Sequence, residues 1–148
     1  MTQQYRSDRG GAPATPAARP PDPRLREALV ADNGDALEAV AIDQATGSVG
    51  RDLAKNAQVR KIFGEIRRIE SRLGAQYADE EALKRALVML GFRARYAAGR
   101  ERDLAGLAEL VTDAVRIIEG KADRFARFVN LMEAVVAERT WRGGKSNG

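Results

Sequence analysis

The fold is decided by residues 59–73, VRKIFGEIRRIESRL, which combine an apolar stripe at helical spacing with a second, basic face. Apolar side chains recur at steps of three and four residues, as in an amphipathic helix: Val59, Ile62, Phe63, Ile66, Ile69 and Leu73. The pattern predicts a helix that begins near Arg51, or restarts with Asn56 as its N-cap, and ends at Gly74. Such a helix is stable only when its apolar stripe is buried against other elements.

The same fifteen residues include five basic and two acidic side chains. On a helical projection Arg60, Lys61, Arg67 and Arg68 lie opposite the apolar stripe, around Gly64. A glycine inside a helix costs ~1 kcal/mol relative to alanine, so its position suggests that something approaches the backbone closely. We expect a surface that faces a polyanion. The alternative is a solvated face with an incidental glycine, and the ion pair expected on this helix is Lys61–Glu65.

The rest of the chain also predicts helices, since all five prolines lie within the first 23 residues of 148. The predicted segments are Leu25 to Gln44 as one or two helices around an Asp32-Asn33-Gly34 turn, a helix capped by Asp79 and interrupted at Gly91, then Phe92–Arg100, Asp103–Glu119 and Asp123–Thr140. The expected fold class is all-α, a helical bundle of about five helices with a disordered N-terminal tail. Residues 1–23 are expected to form that Pro/Gly/Ala-rich tail, 24–141 a single helical domain, and 142–148 a frayed C-terminal tail.

Composition excludes several kinds of site. The chain has no cysteine and no histidine, which removes disulfides, thiolate nucleophiles, Cys/His metal sites and histidine acid–base chemistry. We predict no catalytic residue, no metal and no cofactor, and therefore a protein that is not an enzyme. No apolar run is long enough to cross a membrane, and the N-terminus lacks the apolar core of a signal peptide, so a cytoplasmic location is expected.

A second basic segment, FRARYAAGRER (92–102), surrounds one aromatic residue with arginines. The segments 51–72 and 93–102 hold all of the excess positive charge of a chain whose net charge is +4. Arginine forks suit phosphate recognition, although an arginine-rich composition also follows from a GC-rich genome. We expect Tyr96 to pack inside the bundle; the alternative is a ring available for stacking on single-stranded RNA.

Three segments resemble, in order and spacing, the small helical subunit of type III-A CRISPR effector complexes, the Csm complex. They are QVRKIFGEIRRIE (58–70), LKRALVMLGFRARYAAGR (83–100) and RFARFVNLMEAVVAE (124–138), and the resemblance covers roughly 50–140. The family positions are matched by Gln58, Arg60, Lys61, Arg93, Arg95, Tyr96 and Arg100. Gly91-Phe92 replaces the family's Lys-Pro, so glycine is expected to break the helix there, and Ala137-Glu138 replaces its Ala-Tyr.

The resemblance implies a non-catalytic subunit of an RNA-guided antiviral complex, present in several copies that stack along the guide RNA and help to hold the target RNA. The implied partners are guide RNA and target RNA, the backbone and large subunits of the complex, and neighbouring copies of the chain, with no membrane. The predicted RNA-binding residues are Arg60, Lys61, Arg67, Arg68, Arg93, Arg95 and Arg100. Two alternatives are a small helical DNA-binding regulator and a protein–protein interaction module.

Overall fold

A computed structural model describes residues 20–47, 57–75 and 79–147, with side chains described as far as Arg142. Within these ranges the chain forms six α-helices, one short 3-10 helix and no strand. The α-helices are α1 (Pro23–Leu29), α2 (Gly34–Thr46), α3 (Ala57–Ser71), α4 (Glu80–Arg100), α5 (Ala105–Ile118) and α6 (Ala122–Asn147), and the 3-10 helix is Arg102–Leu104. The predicted all-α bundle is confirmed.

One hydrophobic core joins all six α-helices. Each contributes fully or almost fully buried side chains, for example Leu25, Val40, Ile66, Leu87, Val111 and Phe128. In the first two turns of α6 the rings of Phe125 and Phe128 are tilted against each other, with their centroids 6.2 Å apart. Burying one side chain of this size stabilises the folded state by about 1.5–3 kcal/mol relative to leaving it exposed, so the shared core stabilises helices too short to be stable alone.

The predicted inward-facing positions are confirmed. On α3 the residues Val59, Ile62, Ile66 and Ile69 are buried, and Phe63 and Leu73 pack against the core from its edge. The same spacing in the later segments predicts further inward-facing residues, and these are buried as well: Leu83, Leu87, Leu90, Leu104, Leu107, Val111, Ala114, Ile118, Phe125, Phe128, Val129, Met132 and Val135. Periodicity of 3.6 residues therefore identified the core face of each of these helices correctly.

Three of the helices begin at a polar N-cap residue. The Asp79 carboxylate accepts a hydrogen bond from the Glu81 amide at 3.0 Å, which confirms it as the N-cap of α4. Asn33 accepts from the Ala36 amide at 3.0 Å and starts α2 after the predicted turn. Asp22 does the same for α1, where Pro23 occupies the first turn without needing an amide donor.

The predicted break at Gly91 is wrong, because α4 runs without interruption from Glu80 to Arg100. Gly91 is itself buried, and Leu87, Leu90, Ala94 and Ala97 continue one buried face across it. Packing of that face outweighs the ~1 kcal/mol propensity cost of an internal glycine. Phe92–Arg100 is therefore the second half of one long helix, and its side chains keep a fixed register with those of the first half.

Two further boundaries differ from the prediction. The last helix continues beyond Thr140 to Asn147, since no proline ends it there, so most of the segment assigned to a C-terminal tail is helical. Pro23, which the prediction assigned to the N-terminal tail, belongs to α1. Residues 1–19 of that tail, and the helix start expected between Arg51 and Asn56, lie outside the described residues.

Arg127 ties the first helix to the last. Its guanidinium on α6 donates to the backbone carbonyls of Leu29 at 3.0 Å and Val30 at 3.3 Å, at the end of α1. The same side chain lies 3.5 Å from the Asp32 carboxylate. These contacts satisfy carbonyl groups that a helix end leaves without a partner.

No helix in the described part of the chain is long and apolar enough to span a membrane.

Candidate nucleic-acid interface

Helices α3 and α4 border an open groove of about 650 Å³. Its lining combines basic, polar and apolar side chains from both helices: Gln58, Lys61, Ile62, Gly64, Glu65, Arg68, Leu90, Arg93, Tyr96 and Ala97. Ile62, Leu90 and Ala97 are buried and form the floor, whereas Lys61, Arg68 and Arg93 are exposed. The charged groups therefore stand along the rim of a groove whose floor belongs to the core.

The two basic segments of the sequence meet at Glu65. Its carboxylate accepts a hydrogen bond from Arg68 at 2.7 Å and another from Arg93 at 2.9 Å, and only 20% of the Glu65 side chain is exposed. The predicted Lys61–Glu65 ion pair is wrong, because Glu65 faces α4 and the Arg93 guanidinium reaches it there. Lys61 forms no ion pair with any residue that the structure describes.

Gly64 lies open on the groove side of α3. A Cβ atom placed there would meet no other atom within 4 Å apart from the local helix backbone. The glycine is therefore not required by packing inside the described part of the protein. It stands one turn from both Lys61 and Arg68, so the backbone of α3 is accessible between two cations.

The predicted basic face of α3 is divided between two sides of the helix. Arg67 points towards α6, where it pairs with Glu133 at 2.9 Å and with Glu70 at 3.5 Å. It lines a second groove of about 470 Å³ between α3 and α6, away from Arg68 and Arg93. Arg60 is exposed and lines neither groove. Of the four cations predicted on this face, the structure brings only Lys61 and Arg68 to the α3–α4 groove.

Arg95 and Arg100 lie on other faces of α4. Arg95 donates to the Thr112 hydroxyl of α5 at 2.7 Å, and its guanidinium lies 4.6 Å from the centroid of the Phe92 ring. Arg100 donates to the Tyr96 hydroxyl at 3.2 Å, with its guanidinium 5.9 Å from that ring. Both arginines are thus held beside aromatic rings rather than in the groove.

Two features escaped the sequence reasoning. The expectation that Tyr96 packs in the core is wrong, since 66% of this residue is exposed, and Phe92 is 55% exposed as well. A helical projection of α4 as one helix would have placed both rings away from Leu87, Leu90 and Ala94, but the assumed break at Gly91 hid that register. The sequence did not predict that Glu65 pairs with Arg93, because that contact depends on α3 and α4 being neighbours in the bundle.

A family model described as Csm2 Type III-A matches residues 36–140 of the chain. The chain belongs to this family. It is accordingly a small subunit of the type III-A CRISPR Csm complex, a structural subunit that works with the other subunits of that complex. The resemblance seen in three sequence segments is thereby confirmed. The Csm2 match spans α2 to most of α6 and contains both walls of the α3–α4 groove.

No curated protein and no solved structure gave a significant match to this Csm2 chain. The described residues contain no group of three or more acidic side chains placed to hold a metal ion. The groove lining offers charge and hydrogen-bonding groups: two guanidinium groups, one ammonium group, the Glu65 carboxylate, the Tyr96 side chain and the open backbone at Gly64.

Proposed function

We propose that this Csm2-family subunit binds the sugar-phosphate backbone of guide or target RNA in the α3–α4 groove and stacks in several copies along that RNA, without catalysing a reaction itself. The observation that carries the proposal is the convergence of Lys61, Arg68 and Arg93 around Gly64. These cations come from two separate segments of sequence, and the fold brings them to one rim.

The chemistry of the groove suits phosphate. Arginine forks donate two parallel hydrogen bonds to phosphate oxygens, and the Lys61 ammonium adds a point charge. Glu65 is the counter-charge of the free protein, and an RNA phosphate would compete with it for Arg68 and Arg93. Because the rim offers cations rather than a surface matched to base edges, it supports recognition independent of sequence, as a subunit serving many guides requires.

The other four predicted RNA-binding residues differ in their position relative to the groove and in their protein partners. Arg100 is exposed and hydrogen bonded to Tyr96 of the groove lining, and Arg60 is exposed and adjacent to Lys61 in the sequence, so we keep both as contacts at the margins of the groove. Arg67 and Arg95 already have protein partners in Glu133 and Thr112, so phosphate contacts by them would replace those interactions. We rank Lys61, Arg68 and Arg93 above these four.

The test is a binding titration of the full chain with labelled single-stranded RNA over a series of salt concentrations. The variant Arg68→Gln/Arg93→Gln should bind more weakly, and its log–log salt slope should fall by about 1.4, or ~0.7 for each lost phosphate contact. The control Arg26→Gln/Arg116→Gln removes two exposed guanidinium groups from α1 and α5 and should bind like the wild type. Equal affinity and slope in the two variants would overturn the groove assignment.

Two further binding experiments distinguish the proposed function from the alternatives, a DNA-binding regulator and a protein–protein interaction module. A regulator would bind one duplex DNA sequence in preference to RNA, and a protein-interaction module would associate with its partners after RNase treatment. Copy number is measured by sedimentation of the chain on RNAs of increasing length. Stacking along the strand predicts that the number of bound copies grows with length, and a constant stoichiometry would contradict it.

A further inference from the structure

The outward face of α4 carries a row of exposed apolar side chains. Val88, Met89, Phe92 and Tyr96 are 38%, 49%, 55% and 66% exposed. Val88, Phe92 and Tyr96 follow at intervals of four residues, so they lie one above another on a single side of the helix, with Met89 beside them. Single exposed apolar residues are ordinary, but a continuous row marks a surface that contacts something.

The charge around this row points to an anionic partner. Residues 82–100 contain no aspartate or glutamate, and they include Lys84, Arg85, Arg93, Arg95 and Arg100. An apolar row to which its own helix adds only cations complements a ligand that carries flat apolar groups and negative charge together, although Glu65 of α3 also lies at the Tyr96 end of the row. Nucleotides have this composition, with a base beside each phosphate.

The arrangement of the arginines supports the same ligand. The Arg95 guanidinium lies 4.6 Å from the Phe92 ring centroid, and Arg100 is hydrogen bonded to the Tyr96 hydroxyl at 3.2 Å. Each exposed ring thus has a guanidinium group over one of its faces, at 4.6 Å from the centroid for Phe92 and 5.9 Å for Tyr96. Phe92 and Tyr96 are separated by four residues, or ~6 Å along the helix axis, which leaves room for a separate base at each ring.

We propose that Phe92 and Tyr96 form a stacking platform for the bases of single-stranded RNA, with Arg95 and Arg100 contacting the adjoining phosphates. This inference rests on the proposed function, because Tyr96 also lines the α3–α4 groove. A strand whose phosphates lie at Arg68 and Arg93 would meet Tyr96 at the edge of the groove and Phe92 beyond it. Stacking tolerates every base, so the platform preserves recognition independent of sequence.

The experiment compares an oligoadenylate RNA with an abasic oligonucleotide of the same length, both titrated against the full chain. Phe92→Leu and Tyr96→Leu keep an apolar side chain and remove the aromatic face. Each should weaken oligoadenylate binding by about 5- to 150-fold, the effect of losing one stacked base, while leaving abasic binding and the salt slope unchanged. Met89→Leu, an aliphatic exchange in the same row, should change neither. Circular dichroism checks that the variants fold.

A base analogue gives a direct readout. The fluorescence of 2-aminopurine placed in the RNA should be quenched on binding to the wild type and recover in the Phe92→Leu/Tyr96→Leu variant. Equal binding of oligoadenylate and abasic strands by the wild type would overturn the stacking platform but not the phosphate-binding groove. If the wild type failed to bind the abasic strand, the proposed phosphate binding in the groove would be contradicted. Leucine variants that bind both strands normally but fail to join the other Csm subunits would assign the row to a protein partner and overturn the inference.

Discussion

Glu65 on α3 and Arg93 on α4 form an ion pair of 2.9 Å across the groove, although 28 positions separate them in the sequence. The pair places a negative charge in the middle of the surface that we propose for RNA. In the free protein this carboxylate partly neutralises Arg68 and Arg93 and holds both guanidinium groups in place. The affinity of the groove for phosphate therefore depends on how well the phosphate competes with Glu65 for Arg68 and Arg93.

Glu65→Gln should raise the affinity for single-stranded RNA. The change removes the competing charge, and the expected gain is about two- to fivefold, corresponding to the ~0.5–1 kcal/mol that exposed ion pairs contribute. Glu38→Gln on α2 makes the same change in net charge away from the groove and serves as the control. Lower RNA affinity in Glu65→Gln would mean that the carboxylate is needed to position the two arginines.

Gly64→Ala should stabilise the fold and weaken RNA binding. The new methyl group meets open space, so the helix gains about 0.5–1 kcal/mol from the better propensity of alanine. Thermal unfolding should shift upward by about 1–4 °C for a chain of this size. Gly99→Ala, equally open on α4 but outside the groove, should stabilise without loss of affinity. Unchanged RNA affinity in Gly64→Ala would show that no phosphate approaches the α3 backbone at this point.

Gly120→Ala should destabilise the protein strongly. Gly120 is buried with φ +77°, and a Cβ atom there would overlap the Glu80 carbonyl oxygen and lie 3.2 Å from the Lys84 Cβ. Left-handed backbone strain alone costs about 1–3 kcal/mol for residues other than glycine, and the overlap adds to it. Gly74→Ala is the matched control, since Gly74 has φ +85° with nothing within 4 Å. Urea unfolding should place Gly120→Ala clearly below Gly74→Ala, and equal losses would contradict the contact with Glu80.

Asp22 should make stability depend on pH at the acid end. Its hydrogen bond with the Arg24 side chain, at 2.7 Å, lowers the pKa of the Asp22 carboxyl from its ordinary value of 3.8. Because the folded pKa is the lower one, the stabilising contribution is present above 3.8 and is lost as the pH falls through the folded pKa. Asp22→Asn keeps a capping side chain and removes the charge.

The wild type should therefore be more stable than Asp22→Asn at about pH 6, and this advantage should shrink as the pH falls below 3.8. Chemical unfolding at several pH values measures it. The effect is small, since 41% of the Asp22 side chain is exposed and water screens the pair. Glu27→Gln, an exposed acid on the same helix, controls for net charge. A difference that grows towards low pH would contradict the assigned direction.

Local patterns predicted the helices and their buried faces because both depend on residues three and four positions apart. The burial of Leu87 and Phe128 and the cap at Asp79 followed from such spacings. The continuity of α4 through Gly91 did not, because tertiary packing overrides a propensity of ~1 kcal/mol.

The candidate site was predicted less completely than the fold. The sequence shows which cationic side chains the chain has. Which of them lie close together depends on how the helices pack in the bundle. Arg68 and Arg93 share Glu65, whereas Arg67, adjacent to Arg68 in sequence, pairs with Glu133 on α6. An angle of 100° per residue separates neighbours on a helix, so two adjacent arginines can serve different surfaces.

The bond between Arg127 and the end of α1 also bears on where the protein can be shortened. The family match begins at residue 36, yet α1 precedes it and buries Leu25, Ala28 and Leu29. A truncation at the family boundary would open the core on one side and deprive Arg127 of the two carbonyl groups that accept its hydrogen bonds. The smallest unit that retains the complete core therefore starts upstream of the family boundary, at the Asp22 cap.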